Sequence, residues 1–354
     1  MINLYKFNIF FINVLKKNME IINSYKEDEI KYNLLYLAKP IYGGWVTFTA
    51  HLSKKYNYPI YKITKKSEKT QRDYGYDCKY QNLCFADILK LDNILITAVD
   101  KHYWEYLRYF PKDTTIVIHD PTECKKTKSG NPLVQEVDGQ GALLSEFKIY
   151  TIRDTVQKYL EDIFGLQSIF IRHPFYEYER MDKGLTYNCV SVARIDFDKN
   201  TDILLKANQK IKKKKDHIYL FGSENRIYVH HKLKELNIDE YWKGKFPKKF
   251  EPTYEGKSIL KNAKYMIDMS TIKQDGGGTQ YTFLEAIYHD CVLILHKDWI
   301  EKGDLFQSGV NCIGVRDEDE LAIVINNGLG EELYELLVKN SKKILGDHLE
   351  DIDI

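Results

Sequence analysis

The stretch DGGGTQYTFLEAIYHDCVLILH, residues 275–296, indicates how the chain folds. Its three glycines follow an apolar run at residues 265–269 and precede a helix-like run at residues 281–288. A second apolar run, residues 291–295, comes next and is typical of a buried strand. Strand, glycine turn, helix and strand form the repeating unit of a parallel α/β layer, so the stretch predicts an α/β fold.

The glycine turn also predicts an anion site. A turn that opens a helix leaves backbone N–H groups unpaired at the positive end of the helix dipole. Such an end suits a phosphate or a pyrophosphate, and Gly276, Gly277 and Gly278 stand at this position. Glu285, about one and a half helical turns further on, is placed to accept hydrogen bonds from ribose hydroxyls. The alternative is an ordinary strand-to-helix turn followed by a surface glutamate.

The composition excludes several classes of protein. A chain of 354 residues has room for two domains of ordinary size. With 44% hydrophobic and 29% charged residues, it is typical of a globular protein and not of a disordered one. The net charge of +1 gives no global field that would attract nucleic acid, although local basic patches leave that option open. Six cysteines without a C-x-x-C pair or zinc spacing indicate a reducing, cytoplasmic setting.

Residues 1–30 are predicted to form an N-terminal extension. The apolar segment from Leu4 to Leu15 is too short and too polar for a membrane helix. It also lacks a small-residue cleavage site, so an amphipathic helix, or a start assigned upstream of Met19, is favoured over a signal peptide. We therefore predict no transmembrane segment.

The first half of the chain alternates strands and helices. The first predicted strand leads into Gly43 and Gly44 and then into a predicted helix at residues 45–55. These glycines would let the backbone approach a ligand closely, or they form a tight turn without one. His119 ends the fourth predicted strand, and ligands bind at the carboxyl ends of strands in open parallel sheets. A structural histidine is the alternative. Apolar runs predict strands at 33–38, 60–64, 93–98, 115–119, 148–151 and 168–171.

The second half repeats this alternation after a polar stretch that contains a proline. Strands are predicted at 188–193, 216–221, 265–269, 291–295 and 311–315, and helices at 200–210, 226–236, 281–288, 317–327 and 331–345. We therefore predict two doubly wound, Rossmann-like domains that face each other across a cleft. The predicted limits are 31–178 for the first domain and 185–330 for the second. Residues 331–354 form a C-terminal helix, for which packing back on the first domain is one option.

These motifs, in this order, resemble the GT-B glycosyltransferases, and within them the retaining family 4-like group. The resemblance covers about residues 32–345 and rests on several weak motifs. The turn at Gly43 and Gly44 resembles the family's N-terminal glycine loop, which approaches the donor diphosphate. His119 resembles a histidine that contacts the donor sugar. Arg194 and Lys199 resemble the pair of cations that neutralises the diphosphate.

The remaining motifs lie in the second predicted domain. Gly222 and Gly244 fall where the family has its nucleotide-base pocket, and Glu285 resembles the second glutamate of the family's E-x(7)-E motif, a ribose ligand. Where the family has the first glutamate, this sequence has Gly277. Asp275 is the candidate substitute, unless backbone amides alone hold the sugar. The resemblance implies further donor contacts from Gly276, Gly277, Gly278, Thr279, Gln280, Tyr281 and Thr282.

The resemblance implies a retaining, metal-independent glycosyltransferase that moves a hexose from a nucleotide-diphosphate sugar, UDP-hexose in particular, to a glycan, lipid or other hydroxyl acceptor. Two cations and a helix N-terminus would stabilise the leaving diphosphate, so no metal and no cofactor are expected. Asp196 and Asp198 are interpreted as turn residues and not as metal ligands.

Two other functions stay open. The segment YTFLE at residues 281–285 is similar to a segment of the T-even phage DNA α-glucosyltransferases. This similarity makes a DNA glucosyltransferase acting on hydroxymethylated bases one alternative, and a viral origin an option. Basic patches at 65–66, 125–126 and 243–249, interleaved with aromatic residues, would then line a DNA cleft. The other alternative is a GT-B-like isomerase or an inactive protein that binds sugar nucleotides.

Overall fold

The computed structural model describes residues 32–40, 43–63, 80–112, 114–124, 143–179, 187–244, 259–272, 278–352 and 354. In this part of the chain the strands form two sheets, and every strand pairing is parallel. The first sheet has the order β3-β2-β1-β4-β5-β6-β7 and the second has the order β12-β11-β10-β8-β9. The strands are β1 (Asn33–Leu37), β2 (Ile60–Ile63), β3 (Tyr80–Leu83), β4 (Ile94–Val99), β5 (Thr115–Ile118), β6 (Lys148–Thr151), β7 (Ile169–Phe170), β8 (Cys189–Val192), β9 (Ile218–Phe221), β10 (Tyr265–Asp268), β11 (Val292–His296) and β12 (Ile313–Val315).

Helices connect these strands. They are α1 (Gly44–Tyr56), α2 (Phe85–Ile88), α3 (Trp104–Leu107), α4 (Asp154–Phe164), α5 (Thr201–Lys210), α6 (Arg226–Tyr228), α7 (Ile238–Tyr241), α8 (Tyr281–Tyr288), α9 (Asp298–Glu301), α10 (Glu318–Asn327) and α11 (Glu331–Leu349). Single turns of 3₁₀ helix lie at Pro121–Cys124, Leu143–Glu146, Phe197–Lys199 and Lys214–Asp216, and a π-helical turn lies at Val229–Leu233. Parallel strands joined by helices in this way form the doubly wound α/β architecture that the sequence predicts.

Local sequence explains where several helices begin and end. Asp317 caps α10, because its side chain accepts hydrogen bonds from the backbone N–H groups of Asp319 and Glu320. Asn57 ends α1 and Gly165 ends α4, each in the left-handed conformation that favours asparagine and glycine. The limits predicted for α1 and α10 therefore agree with the structure to within one residue at each end.

In each sheet the order in which the chain adds strands reverses at one place, and this place indicates where a ligand can bind. In the first sheet the strand order reverses between β1 and β4, and in the second sheet it reverses between β8 and β10. The helices that follow neighbouring strands on the two sides of such a point leave in opposite directions and open a crevice at the carboxyl ends of the strands. Residues that directly follow β1, β4, β8 and β10 are therefore the candidates for a functional site.

The hydrophobic core runs between the two sheets as well as within them. One cluster of buried side chains joins Leu34 and Phe48 of the first sheet region to Val190 and Leu284 of the second. The end of α11 also reaches the first sheet region, since the backbone N–H of Phe175 donates to the carbonyl of His348 over 3.0 Å. The structure thus forms two Rossmann-like α/β units that share a continuous apolar contact.

Some elements differ from the prediction. Strand β3 was not predicted, because its sequence YQNL lacks an apolar run; the strand lies at the edge of its sheet and is only partly buried. The helix predicted at residues 226–236 is instead a short α-helical turn, α6, that continues as the π-helical turn. Trp242 makes an isolated parallel bridge to Leu220 of β9.

Candidate functional site

The switch point of the second sheet brings a lysine and a carboxylate together. Asp268 is the last residue of β10, and Lys199 ends the 3₁₀ turn that follows β8. The Lys199 Nζ lies 3.6 Å from Asp268 Oδ2. The Asp268 side chain is 2% exposed and the Lys199 side chain is 15% exposed. A cation therefore stands at the mouth of the crevice, with a buried negative charge behind it.

The same lysine reaches the start of helix α8. Its Nζ lies 3.4 Å from Oε1 of Gln280, the residue that precedes the first turn of the helix. Gly278, two residues earlier, has a φ of 74°, a backbone conformation that favours glycine. The predicted cation and the predicted helix N-terminus are thus neighbours in space although 81 residues separate them in sequence. A cation beside the positive end of a helix dipole is an arrangement that favours a bound anion.

Hydrogen bonds hold the walls of this site in place. The Nδ2 of Asn200, next to Lys199, donates to the carbonyl of Met269 over 2.9 Å. The indole Nε1 of Trp299 donates to the carbonyl of Ser270 over 2.8 Å. Ser270 in turn donates from its backbone N–H and from its hydroxyl to Asp268 Oδ1. Because the turns after β8 and β10 are bonded to each other, Lys199 is preorganised.

Arg194, the second predicted cation, pairs with two carboxylates of its own turn. Its guanidinium lies 3.3 Å from Asp196 and 3.0 Å from Asp198, and 56% of the side chain is exposed. Asp196 also accepts hydrogen bonds from the backbone of Phe197 and from Asn225. The two aspartates therefore hold Arg194 and the turn together. A phosphate that binds Arg194 would compete with these carboxylates.

Gly222 and Gly244 are brought into direct contact. The backbone N–H of Gly222 donates to the carbonyl of Gly244 over 2.9 Å, and Trp242 Nε1 donates to the carbonyl of Gly222. A Cβ at position 222 would lie 1.8 Å from the carbonyl oxygen of Ala193, so only glycine fits there. Gly244 has a φ of 111°. These two glycines and Trp242 line the edge of the second sheet beside the turn that carries Arg194.

On the first sheet, the predicted glycine turn and His119 also meet. Gly43 has a φ of 107° and directly precedes α1, and its carbonyl accepts from the backbone N–H of Thr47. The His119 ring lies 5.0 Å from the ring of Phe48 and 6.2 Å from that of Trp45, both in α1. Among the described residues, no atom lies within 4 Å of a Cβ placed at Gly43 or Gly44.

His119 is a buried, neutral histidine. Its Nε2 lies 2.7 Å from the carbonyl of Thr97, and since a carbonyl can only accept, Nε2 carries the proton and Nδ1 is left as an acceptor. Burial lowers the pKa of His119 to about 4. The backbone N–H of His119 donates to Glu123, and burial raises the pKa of that carboxyl. His119 therefore lacks positive charge at neutral pH.

Glu285, the predicted ribose ligand, lies at the contact between the two units. Its Oε1 is 3.8 Å from Nε2 of His51 in α1, and both side chains are 0% exposed. His51 Nδ1 accepts from the backbone N–H of Tyr176, so the neutral ring presents its N–H to Glu285. The His51 ring stacks on Tyr281 at 4.6 Å and packs against Phe175 at 4.8 Å. The Glu285 carboxylate thus faces a histidine of the other unit.

The other residues predicted to contact the donor lie partly at the contact between units and partly outside the described residues. Tyr281 donates from its hydroxyl to the carbonyl of Pro174, which places it at the same contact between units. Thr279 is buried and Thr282 is half-buried. Asp275, Gly276 and Gly277 lie outside the described residues, as do the basic patches at 65–66 and 125–126 and most of the patch at 243–249. The roles predicted for these residues in donor binding remain predictions.

Among the described residues, no group of three or more His, Cys, Asp or Glu side chains is arranged to hold a metal ion. None of the helices within the described ranges is long and apolar enough to cross a membrane.

Two residues of the site were missed by sequence reasoning. Asp268 had a signal, since a charged residue at the end of an otherwise apolar strand has to be neutralised by a partner or placed at a site. His51 had none, because it lies in the middle of a predicted helix, and only the three-dimensional structure brings it to Glu285.

Comparisons with known proteins agree with the architecture. No protein-family model and no curated protein sequence matches this chain. The structure of HepE from Anabaena in complex with UDP is similar, with a TM-score of 0.61 and 14% identity over 90% of this chain and 96% of that one. An alpha-glucosyltransferase in complex with UDP and a 13-mer DNA containing an HMU base has a TM-score of 0.65 and 13% identity, over 90% and 96% of the two chains.

A further structure of alpha-glucosyltransferase, in complex with UDP-glucose and DNA containing an abasic site, has a TM-score of 0.63 and 12% identity over 90% of this chain and 96% of that one. These matches extend over both sheets, and the two sheets have the doubly wound topology that such a match requires. The chain therefore has the GT-B fold of two Rossmann-like domains.

Proposed function

We propose that the protein is a glycosyltransferase that uses a nucleotide-diphosphate sugar, UDP-hexose in particular, and transfers the hexose with retention to a hydroxyl acceptor. The observation that carries this proposal is the position of Lys199 between Asp268 and Gln280, at the start of helix α8. Solved structures of the same fold contain UDP or UDP-glucose, which supports the choice of donor.

The site has the electrostatics that this reaction needs. When the glycosidic bond of a nucleotide sugar breaks, negative charge grows on the leaving diphosphate. Lys199 and the helix start would bind that charge, and Arg194 would join them by exchanging Asp196 and Asp198 for phosphate oxygens. No step of this scheme needs a metal ion. The expectation is therefore that activity survives EDTA, and loss of activity that manganese restores would make Asp196 and Asp198 metal ligands instead.

His119 would act as a neutral group at the sugar. Because its Nε2 donates to the carbonyl of Thr97, Nδ1 can accept a hydrogen bond from a sugar hydroxyl. The protonated form is disfavoured, since burial lowers the pKa of His119 to about 4. A neutral histidine beside the anomeric centre does not oppose the positive charge that develops on the sugar ring.

A direct test is a panel of nucleotide sugars that differ in base and sugar, measured by thermal shift and then by product formation with each donor that binds. UDP-glucose and UDP are expected to raise the melting temperature, whereas uridine raises it less because it lacks the diphosphate. Lys199→Met is expected to reduce the preference for UDP over uridine. A wild-type protein that binds none of the panel would contradict the proposal.

A DNA acceptor is the second candidate, because the alpha-glucosyltransferase structure with DNA and UDP has a TM-score of 0.65 to this chain. With a net charge of only +1, DNA affinity would have to come from local phosphate contacts. Binding should then fall with salt, with a slope of roughly −0.9 per phosphate contacted. We would measure binding and sugar transfer with duplex DNA, with and without hydroxymethylated bases, at two salt concentrations. Absence of both would favour a glycan or lipid acceptor.

A further inference from the structure

Asp268 carries a negative charge at the point where the proposed function places a negatively charged leaving group. We propose that Asp268 is a positioning residue that offsets the charge of Lys199, so that the nucleoside diphosphate product is bound weakly enough to leave. This inference rests on the proposed function, since it assumes that Lys199 contacts the diphosphate. It concerns a residue that makes no contact with the substrate itself.

The environment of Asp268 is unusual for a structural carboxylate. Oδ1 is fully engaged, because it accepts from the backbone N–H and from the hydroxyl of Ser270. Oδ2 is buried and accepts no hydrogen bond from any described residue, and its nearest cation, Lys199 Nζ, is 3.6 Å away. A buried carboxylate oxygen without a hydrogen bond destabilises the fold. A residue kept only for stability would form a short hydrogen bond with its partner.

The Lys199 ammonium likewise makes no short hydrogen bond to a described residue. Its two described contacts, at 3.6 Å to Asp268 and 3.4 Å to Gln280, are both longer than a good charged hydrogen bond. The ammonium is therefore held in position by charge, while its N–H groups stay available. A phosphate oxygen would take these N–H groups at a shorter distance, because charge-assisted hydrogen bonds to phosphate are strong.

The bound phosphate would then be close to Asp268. With Lys199 between them, the carboxylate and the phosphate would be separated by roughly 6 Å, a distance at which like charges in a partly buried site repel strongly. Lys199 thus attracts the diphosphate while Asp268 limits that attraction. Since Asn200 and Trp299 fix the turns on either side, the carboxylate cannot move away when the diphosphate binds.

The test is isothermal titration of UDP and of uridine into the wild type and Asp268→Asn. The amide has the shape of the carboxylate and can still accept from Ser270, but it removes the charge. Asp268→Asn is expected to bind UDP at least about tenfold more tightly, in line with the Coulomb interaction at this distance, and to bind uridine unchanged. In turnover, kcat should fall because UDP leaves more slowly. Asp319→Asn is the matched control, because it removes an equal charge from α10, where Asp319 pairs with Lys210 of α5. It should change neither the UDP affinity nor the uridine affinity.

A second variant keeps the inference testable if Asp268→Asn fails to fold. Gln280→Glu places a carboxylate on the other side of the same ammonium, at a half-buried position. Because this carboxylate would partly neutralise Lys199, Gln280→Glu should weaken UDP binding by about tenfold and leave uridine binding unchanged. UDP affinity that is unchanged in Gln280→Glu would overturn the inference.

The outcomes separate this inference from the proposed function. If Asp268→Asn binds UDP as the wild type does, or more weakly with a lower melting temperature, Asp268 is structural and the inference is wrong while the proposed function stands. If the wild type does not prefer UDP over uridine and Lys199→Met changes nothing, the diphosphate site is wrong and both fall.

Discussion

Glu285 is a fully buried carboxylate on helix α8, and it faces His51 across the contact between domains. If donor binding brings the ribose to Glu285, Glu285→Gln should weaken UDP binding by about 1–3 kcal/mol, because an amide replaces two good acceptors with one. Titration of UDP into the folded variant measures this loss. Unchanged affinity would remove Glu285 from the ribose site and leave it as an interdomain partner of His51.

His119 provides a residue-level prediction about pH. Its pKa is about 4 in the folded protein against an ordinary 6.5, so the unfolded chain takes up a proton first as the pH falls. Stability is therefore lost between pH 6.5 and 4. Glu123, whose pKa is raised by burial, acts in the opposite direction and offsets part of this loss.

The comparison of the wild type with His119→Gln isolates the histidine, since other groups contribute to both proteins. Between pH 7 and pH 5, the loss of unfolding free energy should be smaller in the variant by about 2 kcal/mol. Urea unfolding at the two pH values gives this difference. An equal loss in both proteins would show that His119 is not buried in its neutral form.

Residue roles were the part of the site that the sequence predicted least completely. Lys199 and the start of α8 were predicted as neighbours through the family resemblance, and the structure places them together. Arg194 was predicted to bind phosphate, but residue spacing did not reveal that Asp196 and Asp198 pair with its guanidinium. Such contacts depend on side-chain directions within a turn, which residue spacing alone does not determine.

At the scale of elements, Gly222 is a position where the packed backbone leaves no room for a side chain. A Cβ there would lie 1.8 Å from the carbonyl oxygen of Ala193, which belongs to the turn after β8 and cannot move without displacing Arg194. Gly222→Ala should therefore lower the unfolding free energy by about 1–3 kcal/mol, or more, through overpacking. Chemical denaturation measures this change.

Gly44→Ala is the matched control for that substitution. Gly44 is the first residue of α1, and a Cβ there meets nothing within 4 Å. Alanine should be neutral or stabilise the protein by up to about 1 kcal/mol, because it reduces the freedom of the unfolded chain. Equal losses in the two variants would mean that the close approach of Gly222 to Ala193 does not decide its stability.

Element types were largely predictable because most strands are apolar runs bounded by turn residues. Strand β11 and helix α8 follow the predicted pattern closely, since both are buried on nearly every side. The edge strand β3 was missed because its sequence YQNL is mostly polar and the strand is only partly buried. The π-helical turn at Val229–Leu233 has no local sequence signal that we can identify.

At the scale of the molecule, two facing Rossmann-like domains were predicted from the repeated strand–helix alternation, and the structure confirms them. The contact between the domains was not predictable in detail. It depends on pairs that are distant in sequence, such as His51 with Glu285 and Tyr178 with His289. Because a sequence pattern reports local burial and not the partner that causes it, these contacts required the structure.

The end of α11 is the feature through which the C-terminal segment holds the first domain. The ammonium of Lys55, at the end of α1, donates to the carbonyls of Leu349 over 2.7 Å and Glu350 over 2.5 Å and approaches that of His348. The backbone N–H of Ile352 donates to the hydroxyl of Tyr56. Carbonyls at the end of a helix lack intrahelical partners, so a cation there satisfies them and interacts favourably with the helix dipole.

Lys55→Met should therefore destabilise the protein by about 1–3 kcal/mol, because it leaves half-buried carbonyls without a charged donor while keeping the apolar part of the side chain. Lys339→Met, at an exposed position on α11, is the control and should change the unfolding free energy by less than about 0.5 kcal/mol. Chemical denaturation of the three proteins gives both values. Equal stability of Lys55→Met and Lys339→Met would show that the helix end stays docked without the lysine, so that the apolar contacts of α11 alone join it to the first domain.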